Sequence, residues 1–203
     1  MTWYIHGAGT SGLAAARLCS VQSVSAVLTD QNSLSDDTKA QLKLWGTGFI
    51  ERCDESFFPD TTPEGLILSP GVPVTHPFVQ KAKKLSVPVL SETDYGLQFF
   101  DGRCLAVTGT NGKSTTVSLI THILKKAGLD ALACGNIGTP VCDIIASGRH
   151  PDWLALELSS YQLEQASAQA YDGGLFLNFS SDHLQRHGTL KQYFKEKWKL
   201  FNP

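Results

Sequence analysis

No stretch of this 203-residue sequence is apolar for long enough to span a bilayer. Nor is there an excess of either charge: 17 basic residues face 19 acidic ones, a net of −2. A chain so balanced has no general attraction for nucleic acid or for an anionic membrane, so any anion site must be local. The N-terminal MTWYIHGAG lacks a basic segment followed by a long apolar one, and a secretory signal is not expected. Cysteine is sparse and unpatterned. Cys19, Cys53, Cys104, Cys134 and Cys142 are odd in number and contain no CxxC, which predicts reduced thiols in a cytoplasmic protein. Four of them, Cys19, Cys104, Cys134 and Cys142, sit in apolar stretches as small core residues would. Solenoid repeats and low-complexity segments are absent as well.

What remains is an ordinary globular composition, 42% hydrophobic and 18% charged, in which short apolar runs alternate with helical patterns. That alternation predicts a parallel α/β fold. Strands are expected at 2–6 and 25–29, GLILSPG (65–71) reads as a strand ending in a tight turn, and helices are expected at 12–20, 36–45, 76–84 and 92–100. FDGRC (100–104) reads as a boundary because a new strand–turn–helix unit starts directly after it. The expected domains are therefore 1–101 and 102–203. In the second, strands are expected at 104–108, 131–134, 153–157 and 174–178, and helices at 113–127, 140–146 and 189–201. Few strands follow the second unit's start, so that domain reads as incomplete and the chain as the first part of a longer one.

Two glycine-rich turns stand out. IHGAGTSGLAAARL holds Gly7-x-Gly9-x-x-Gly12 between a strand and a helix, and Asp30 ends the next strand. Such a turn lets a diphosphate or sugar approach a helix N-terminus, with the acid placed for a ribose hydroxyl. A tight turn without a ligand also fits the pattern. Taken alone the motif suggests a nicotinamide-dependent oxidoreductase, but nothing downstream supports hydride chemistry. Ser69-Pro70-Gly71 ends another strand, where open α/β sheets line their crevice. By itself it reads equally as a turn.

The second turn, AVTGTNGKSTT (106–116), carries the stronger signal. Gly109 and Gly112 allow successive N–H groups to face one anion, Lys113 supplies charge, and Ser114 offers a hydroxyl to Mg²⁺. A helix starting at 113 aims its positive end at the same place. The strict G-x-x-x-x-G-K-[ST] pattern fails at Val107, so this is a variant phosphate loop. Glu157 ends an apolar strand, where a carboxylate is costly without a cation or hydrogen-bond partner. It reads as a metal ligand, or as a half-exposed residue on the strand. Asp182 and His183 follow the next apolar strand, with His183 a candidate second ligand. In the last helix, Tyr193, Phe194, Leu200 and Phe201 share one arc at 100° per residue, with Lys197 in its middle. Such a lysine snorkels, meets an anion, or is chemically altered.

TGTNGKST, GNIG (135–138), ELSSYQLE (157–164) and NFSSDHLQRH (178–187) occur here in the order and approximate spacing of the Mur ligases, and the whole chain resembles the first half of that family. ELSSYQLE points to the branch that adds D-glutamate. The resemblance implies a Rossmann-like N-terminal domain holding a UDP-substrate, followed by a P-loop-type ATPase domain. It implies an ATP-dependent ligase of peptidoglycan synthesis, with ATP and Mg²⁺, whose substrates are UDP-N-acetylmuramoyl-L-alanine and D-glutamate. A monomer without nucleic-acid or membrane partners is expected. Residue by residue, Thr10, Ser11, Asp30, Gln31, Ser69, Pro70 and Gly71 match UDP-binding positions, and Asn136 and Ser159 match the muramoyl–alanine end. Gly109, Thr110, Asn111, Gly112, Lys113, Ser114 and Thr115 match the ATP loop. Ser114, Glu157 and His183 match metal ligands, with Lys197 a further one if carbamylated. Lys113, His183 and Lys197 match catalytic positions, Lys197 being the lysine that the family carbamylates. SSDH replaces the commoner T-x-D-H, and the segment from His183 to Lys197 is one residue short. Turnover by a chain of this length alone is not expected. A nucleotide-binding module without catalysis is the reading that remains beside the ligase and the oxidoreductase.

Overall fold

The computed structural model describes residues 2–54, 56–166 and 171–201. They form two compact units, 1–99 with 141–148, and 100–140 with 149–203.

The first unit is a five-stranded parallel sheet. Its elements run β1 (Trp3–His6), α1 (Thr10–Val21), β2 (Ala26–Thr29), α2 (Asp36–Leu44), β3 (Gly48–Ile50), β4 (Gly65–Leu68), α3 (Pro77–Lys84), β5 (Val89–Ser91) and α4 (Glu92–Leu97). The strand order is β3-β2-β1-β4-β5, so the chain builds outward from β1 on one side and then crosses to the other. The carboxyl ends of β1 and β4 flank that reversal, where open α/β sheets bind ligands. A parallel sheet covered on both faces needs continuous apolar strands, and all four residues of β4 are buried. Leu66 and Leu68 pack with Phe78, Val79, Ala82 and Val87. On α1, Ala14, Ala15 and Ala16 are buried, and their small side chains let the helix lie close to its neighbours.

The second unit is a four-stranded parallel sheet of order β7-β8-β6-β9. It contains β6 (Arg103–Thr108), α5 (Lys113–Lys126), β7 (Ala131–Gly135), β8 (Trp153–Glu157), α7 (Ser160–Gln165), β9 (Gly173–Phe176), α8 (Leu184–His187) and α9 (Leu190–Trp198). Helix α6 (Val141–Ala146) follows β7 in sequence but falls in the first unit. Its Cys142 N–H donates to the buried Glu92 carboxylate at 2.7 Å.

The parallel α/β architecture is the one expected. β3 and β5, three residues each, and the one-turn α8 are too short for any hydrophobic period to announce them. α7 is also short, but its start is set by a local device: the Ser159 hydroxyl accepts the Gln162 N–H while the Gln162 side chain accepts the Ser159 N–H. One expectation is corrected on α9. Tyr193, Lys197 and Leu200 are buried, but Phe194 and Phe201 are 40% and 46% exposed, and Glu196 takes a buried place instead. The helix stops at Trp198, so Phe201 no longer follows helical phase. All five cysteines are buried, Cys53 included. Among the described residues no helix is long and apolar enough to cross a membrane.

Candidate functional sites

In the first unit, the ends of β1 and β4 frame a cleft of about 490 Å³. Its wall includes Gly7, Thr10, Ser11, Asp30, Gln31 and Ser69-Pro70-Gly71, while Asn136 and Ser159, matched to the muramoyl–alanine end of the substrate, fall in the second unit. The glycines are dictated by contact. A Cβ on Gly12 would stand 1.9 Å from the Gly7 carbonyl oxygen, and Gly7 itself has φ +101°. Ser69 Oγ donates to that same carbonyl at 2.8 Å, fastening the β4 turn to the β1 turn. Asp30 Oδ2 accepts the Ala8 N–H at 2.6 Å, and its Oδ1 accepts the Asn32 N–H at 2.7 Å. Thr10 and Ser11 open α1, where backbone N–H groups have no intrahelical partner. Two histidines in the wall gave no sequence signal. His6 bonds Thr29 Oγ1 at 2.7 Å, and burial, then the neighbouring His76, pulls its pKa down to about 4. It is therefore neutral at physiological pH, lending the cleft polarity without charge.

In the second unit, β6 leads into the loop 109–112 and then α5. Gly109 and Gly112 both take positive φ, +152° and +84°. Ser114 and Thr115 lie in the first turn of α5. Ser114 Oγ donates to Glu157 Oε2 at 2.7 Å, and the Asn136 amide donates to Glu157 Oε1 at 2.8 Å. Glu157 is 2% exposed, at the carboxyl end of β8. The half-exposed reading of this residue is thereby excluded. Asn136 stands beside the phosphate loop because Gly135 lets the chain turn there: a Cβ at 135 would lie 2.3 Å from the Glu157 carbonyl oxygen.

Lys197 reaches the loop from α9. Its ammonium, on a side chain 1% exposed, donates to the Gly109 carbonyl at 2.8 Å and lies 4.9 Å from the centre of the Tyr193 ring. Burial first, and the Lys113 charge second, lower its pKa to about 8. It does not snorkel. Lys113 curls back on its own loop, donating to the carbonyls of Gly109 and Thr110 at 3.0 and 2.9 Å. Ser159 spends its hydroxyl on the α7 cap. His183, with φ +51°, precedes α8 and meets Tyr161 Oη through Nδ1 at 3.2 Å and Asp182 through Nε2 at 3.4 Å. The loop, Ser114, Glu157, Asn136 and Lys197 thus converge directly, while His183 joins them only through rings: it packs 6.1 Å from Tyr193, whose hydroxyl bonds Thr110 Oγ1 at 3.4 Å. Among the described residues no three His, Cys, Asp or Glu side chains form a ready metal cage. Sequence reasoning also missed Asn178, which bonds the loop backbone and whose only signal was its place directly after an apolar strand.

Comparison with known proteins agrees with this geometry. The Mur ligase middle domain matches residues 107–203. UDP-N-acetylmuramoylalanine–D-glutamate ligase of Trichodesmium erythraeum is 35% identical over 200 residues, 98% of this chain and 43% of that protein. The ligase of the same name from Leptospira interrogans is 38% identical over 97% of this chain and 40% of its own length. The chain therefore spans about two fifths of the length of these relatives. Among solved structures, UDP-N-acetylmuramate:L-alanyl-gamma-D-glutamyl-meso-diaminopimelate ligase from Neisseria meningitides superposes with a TM-score of 0.58 at 18% identity, covering 98% of this chain and 68% of that one, a likeness of fold. Residues 107–203 thus match the Mur ligase middle domain, and nearly the whole chain is similar to part of the curated ligases.

Proposed function

We propose that this chain provides the UDP-substrate cleft and the phosphate-handling site of a cytoplasmic, monomeric ATP-dependent ligase that adds D-glutamate to UDP-N-acetylmuramoyl-L-alanine in peptidoglycan synthesis. The observation that carries the reading is Glu157, a buried carboxylate held between the Ser114 hydroxyl and the Asn136 amide beside a phosphate loop. In the first unit, the turn N–H groups and α1 N-terminus hold the diphosphate, while Asp30, Gln31 and Ser69-Pro70-Gly71 enclose the nucleoside.

The reaction joins a carboxylate to an amine. A free carboxylate oxygen of the substrate attacks the γ-phosphorus of ATP, and ADP leaves. The amine of D-glutamate then attacks the resulting acyl phosphate, inorganic phosphate leaves, and the amine proton passes to solvent or base. Carboxylate and triphosphate repel each other, so positive charge must be fixed where they meet. Lys113 supplies it by uncurling from the two loop carbonyls to the outer phosphates. The N–H groups of the first turn of α5 hold the remaining oxygens.

Glu157 and Ser114 are hard oxygen donors, and one or two carboxylates beside substrate phosphates is the set Mg²⁺ takes in nucleotide sites. Glu157, Ser114 and a carbamylated Lys197 would hold it, with His183 in reserve on the α8 side. When bound, Mg²⁺ neutralises phosphate charge. Carbamylation of Lys197 consumes one CO₂ and, counted from the ammonium, releases two protons: one leaves to give the neutral amine, and the second leaves as that nitrogen bonds the CO₂ carbon to form the carbamate anion. The neutral amine that adds CO₂ is accessible because burial lowers the pKa of Lys197 to about 8.

Turnover requires D-glutamate binding and exclusion of water from the acyl phosphate, and neither is assigned to the residues of these two sites alone. Calorimetry tests the reading. Binding of UDP-N-acetylmuramoyl-L-alanine and of Mg·ATP, with no response to NADH, is expected. NADH binding with no response to the UDP-substrate would overturn it in favour of an oxidoreductase.

A further inference from the structure

The phosphate loop is tied down by a residue outside it. Asn178 follows β9, and its side-chain amide meets the backbone of Asn111 at both ends: Oδ1 accepts the Asn111 N–H at 2.9 Å, and Nδ2 donates to the Asn111 carbonyl at 2.9 Å. The opposite rotamer of the amide would face donor to donor and acceptor to acceptor, so the orientation is fixed by its partners. The Asn178 carbonyl accepts the Thr110 N–H at 3.1 Å. Thr110 Oγ1 accepts the Ser180 N–H at 3.0 Å, the reciprocal of the same clasp. The chain backbones are also in close contact: a Cβ on Gly109 would stand 3.2 Å from Leu177 Cβ.

The consequence is a division of labour among the loop's N–H groups. Those of Thr110 and Asn111 point at Asn178 and cannot face a ligand. Those of Gly112, Lys113, Ser114 and Thr115 stand at the start of α5, where a helix offers no internal acceptor. We propose that Asn178 is a positioning residue: it fixes the first half of the loop so that the second half, from Gly112 onward, is already shaped for phosphate. The proposal rests on the phosphate-binding reading of this loop. It concerns a residue outside the loop whose amide bonds are made to the Asn111 backbone, and which acts through Asn111. A loop bearing two glycines with positive φ is conformationally free, and a ligand that must order it binds more weakly by the fraction of time the loop is competent.

Asn178 is exposed, so its replacement by alanine opens no core. The test compares the wild-type chain with Asn178→Ala and Asn178→Asp by amide hydrogen exchange and by calorimetry with Mg·ATP and, separately, UDP-N-acetylmuramoyl-L-alanine. In Asn178→Ala, exchange at Thr110 and Asn111 should accelerate at least tenfold, and ATP affinity should fall by roughly five- to twentyfold, with the UDP-substrate affinity unchanged. Asn178→Asp keeps an acceptor for the Asn111 N–H but cannot donate to the carbonyl, and should fall between. Unaltered exchange at Thr110 and Asn111 would overturn the clasp. Faster exchange with unaltered ATP affinity would overturn its positioning role. Equal loss of both ligands would indicate general damage and overturn it too. A wild-type chain that ignores Mg·ATP would sink the reading of the site, while exchange would still decide the clasp.

Discussion

The side-chain nitrogens of Lys113 and Lys197 converge on one oxygen, the carbonyl of Gly109, at 3.0 and 2.8 Å. Two ammonium groups on a single acceptor repel each other, and the arrangement is tolerable only while the carbonyl and the Glu157 and Asp182 charges offset it. Any anion arriving at the loop relieves the repulsion by drawing Lys113 away. Lys113→Ala should therefore weaken Mg·ATP binding by roughly ten- to a hundredfold. In a full-length ligase carrying the same change, ATP-dependent phosphate release should disappear. Unchanged release would remove this loop from the chemistry.

The same pair links the two lysines chemically. Because the Lys113 charge helps to lower the Lys197 pKa, Lys113→Ala should raise it and leave less neutral amine at a given pH. With ¹³C-labelled bicarbonate, a carbamate resonance should grow as pH rises from 7 through 8 to 9, be absent in Lys197→Ala, and shrink in Lys113→Ala. Lys197→Ala should also depress ligase activity in the full-length protein, and a short-chain carboxylate in excess should restore part of it. A silent Lys197→Ala would reduce the buried lysine to a structural element.

Glu157→Gln separates charge from packing at the same site. Glutamine keeps an oxygen and a nitrogen within reach of Ser114 and Asn136, so the fold should survive with a stability change of about 1 kcal/mol or less. What is lost is the negative charge that Mg²⁺ requires. In the wild type, chelating Mg²⁺ should weaken ATP binding; in Glu157→Gln the affinity should already be low and should respond little to chelation. An unaltered response to Mg²⁺ would assign the metal elsewhere.

Much of this was legible in the sequence, for identifiable reasons. Gly109, Gly112, Lys113 and Ser114 are neighbours in the chain, so a local motif describes them fully. Glu157 announced itself by incongruity, a carboxylate in an apolar strand. Lys197 was found by helical phase, although Phe194 and Phe201 were wrongly given its burial, because phase says nothing about where a helix stops or how narrow its buried stripe is. Asn178, His6 and His76 were missed for the converse reason. Their significance lies in partners brought near by the sheet, Asn111 for Asn178 and Thr29 for His6, and no spacing rule records those. The placement of α6 with the first unit was equally hidden, since its dominant polar tie is to Glu92, 50 residues away.

That tie gives the fold a pH dependence. Glu92 is 3% exposed, and burial raises its pKa to about 7, against the bonds from Cys142 and Thr93 that favour the anion. Between the unfolded value of 4.5 and about 7 the folded state holds more protons than the unfolded one. Stability therefore falls as pH rises through that window and stays low above it. Glu92→Gln keeps an acceptor for the Cys142 N–H without a buried charge. It should raise Tm at pH 8.5 by roughly 5 °C and leave it nearly unchanged at pH 4.5. Equal Tm shifts at both pH values would show that Glu92 does not ionise in the folded protein.

Gly12→Ala distinguishes the two sites from each other. The added methyl would stand 1.9 Å from the Gly7 carbonyl oxygen and 2.9 Å from Ser69 Oγ. It must therefore push α1 away from the turn or break the Ser69–Gly7 hydrogen bond that joins the β1 and β4 ends. Either response widens the cleft at the point where a diphosphate would meet the helix N-terminus. Affinity for UDP-N-acetylmuramoyl-L-alanine should fall more than tenfold, because a phosphate held by backbone N–H groups loses several at once when the helix start moves. Mg·ATP affinity should be unchanged, since Gly109–Ser114 belong to the other compact unit. Calorimetry with each ligand reads both outcomes on one sample, and retention of full UDP-substrate affinity would show that the glycine turn does not hold the diphosphate.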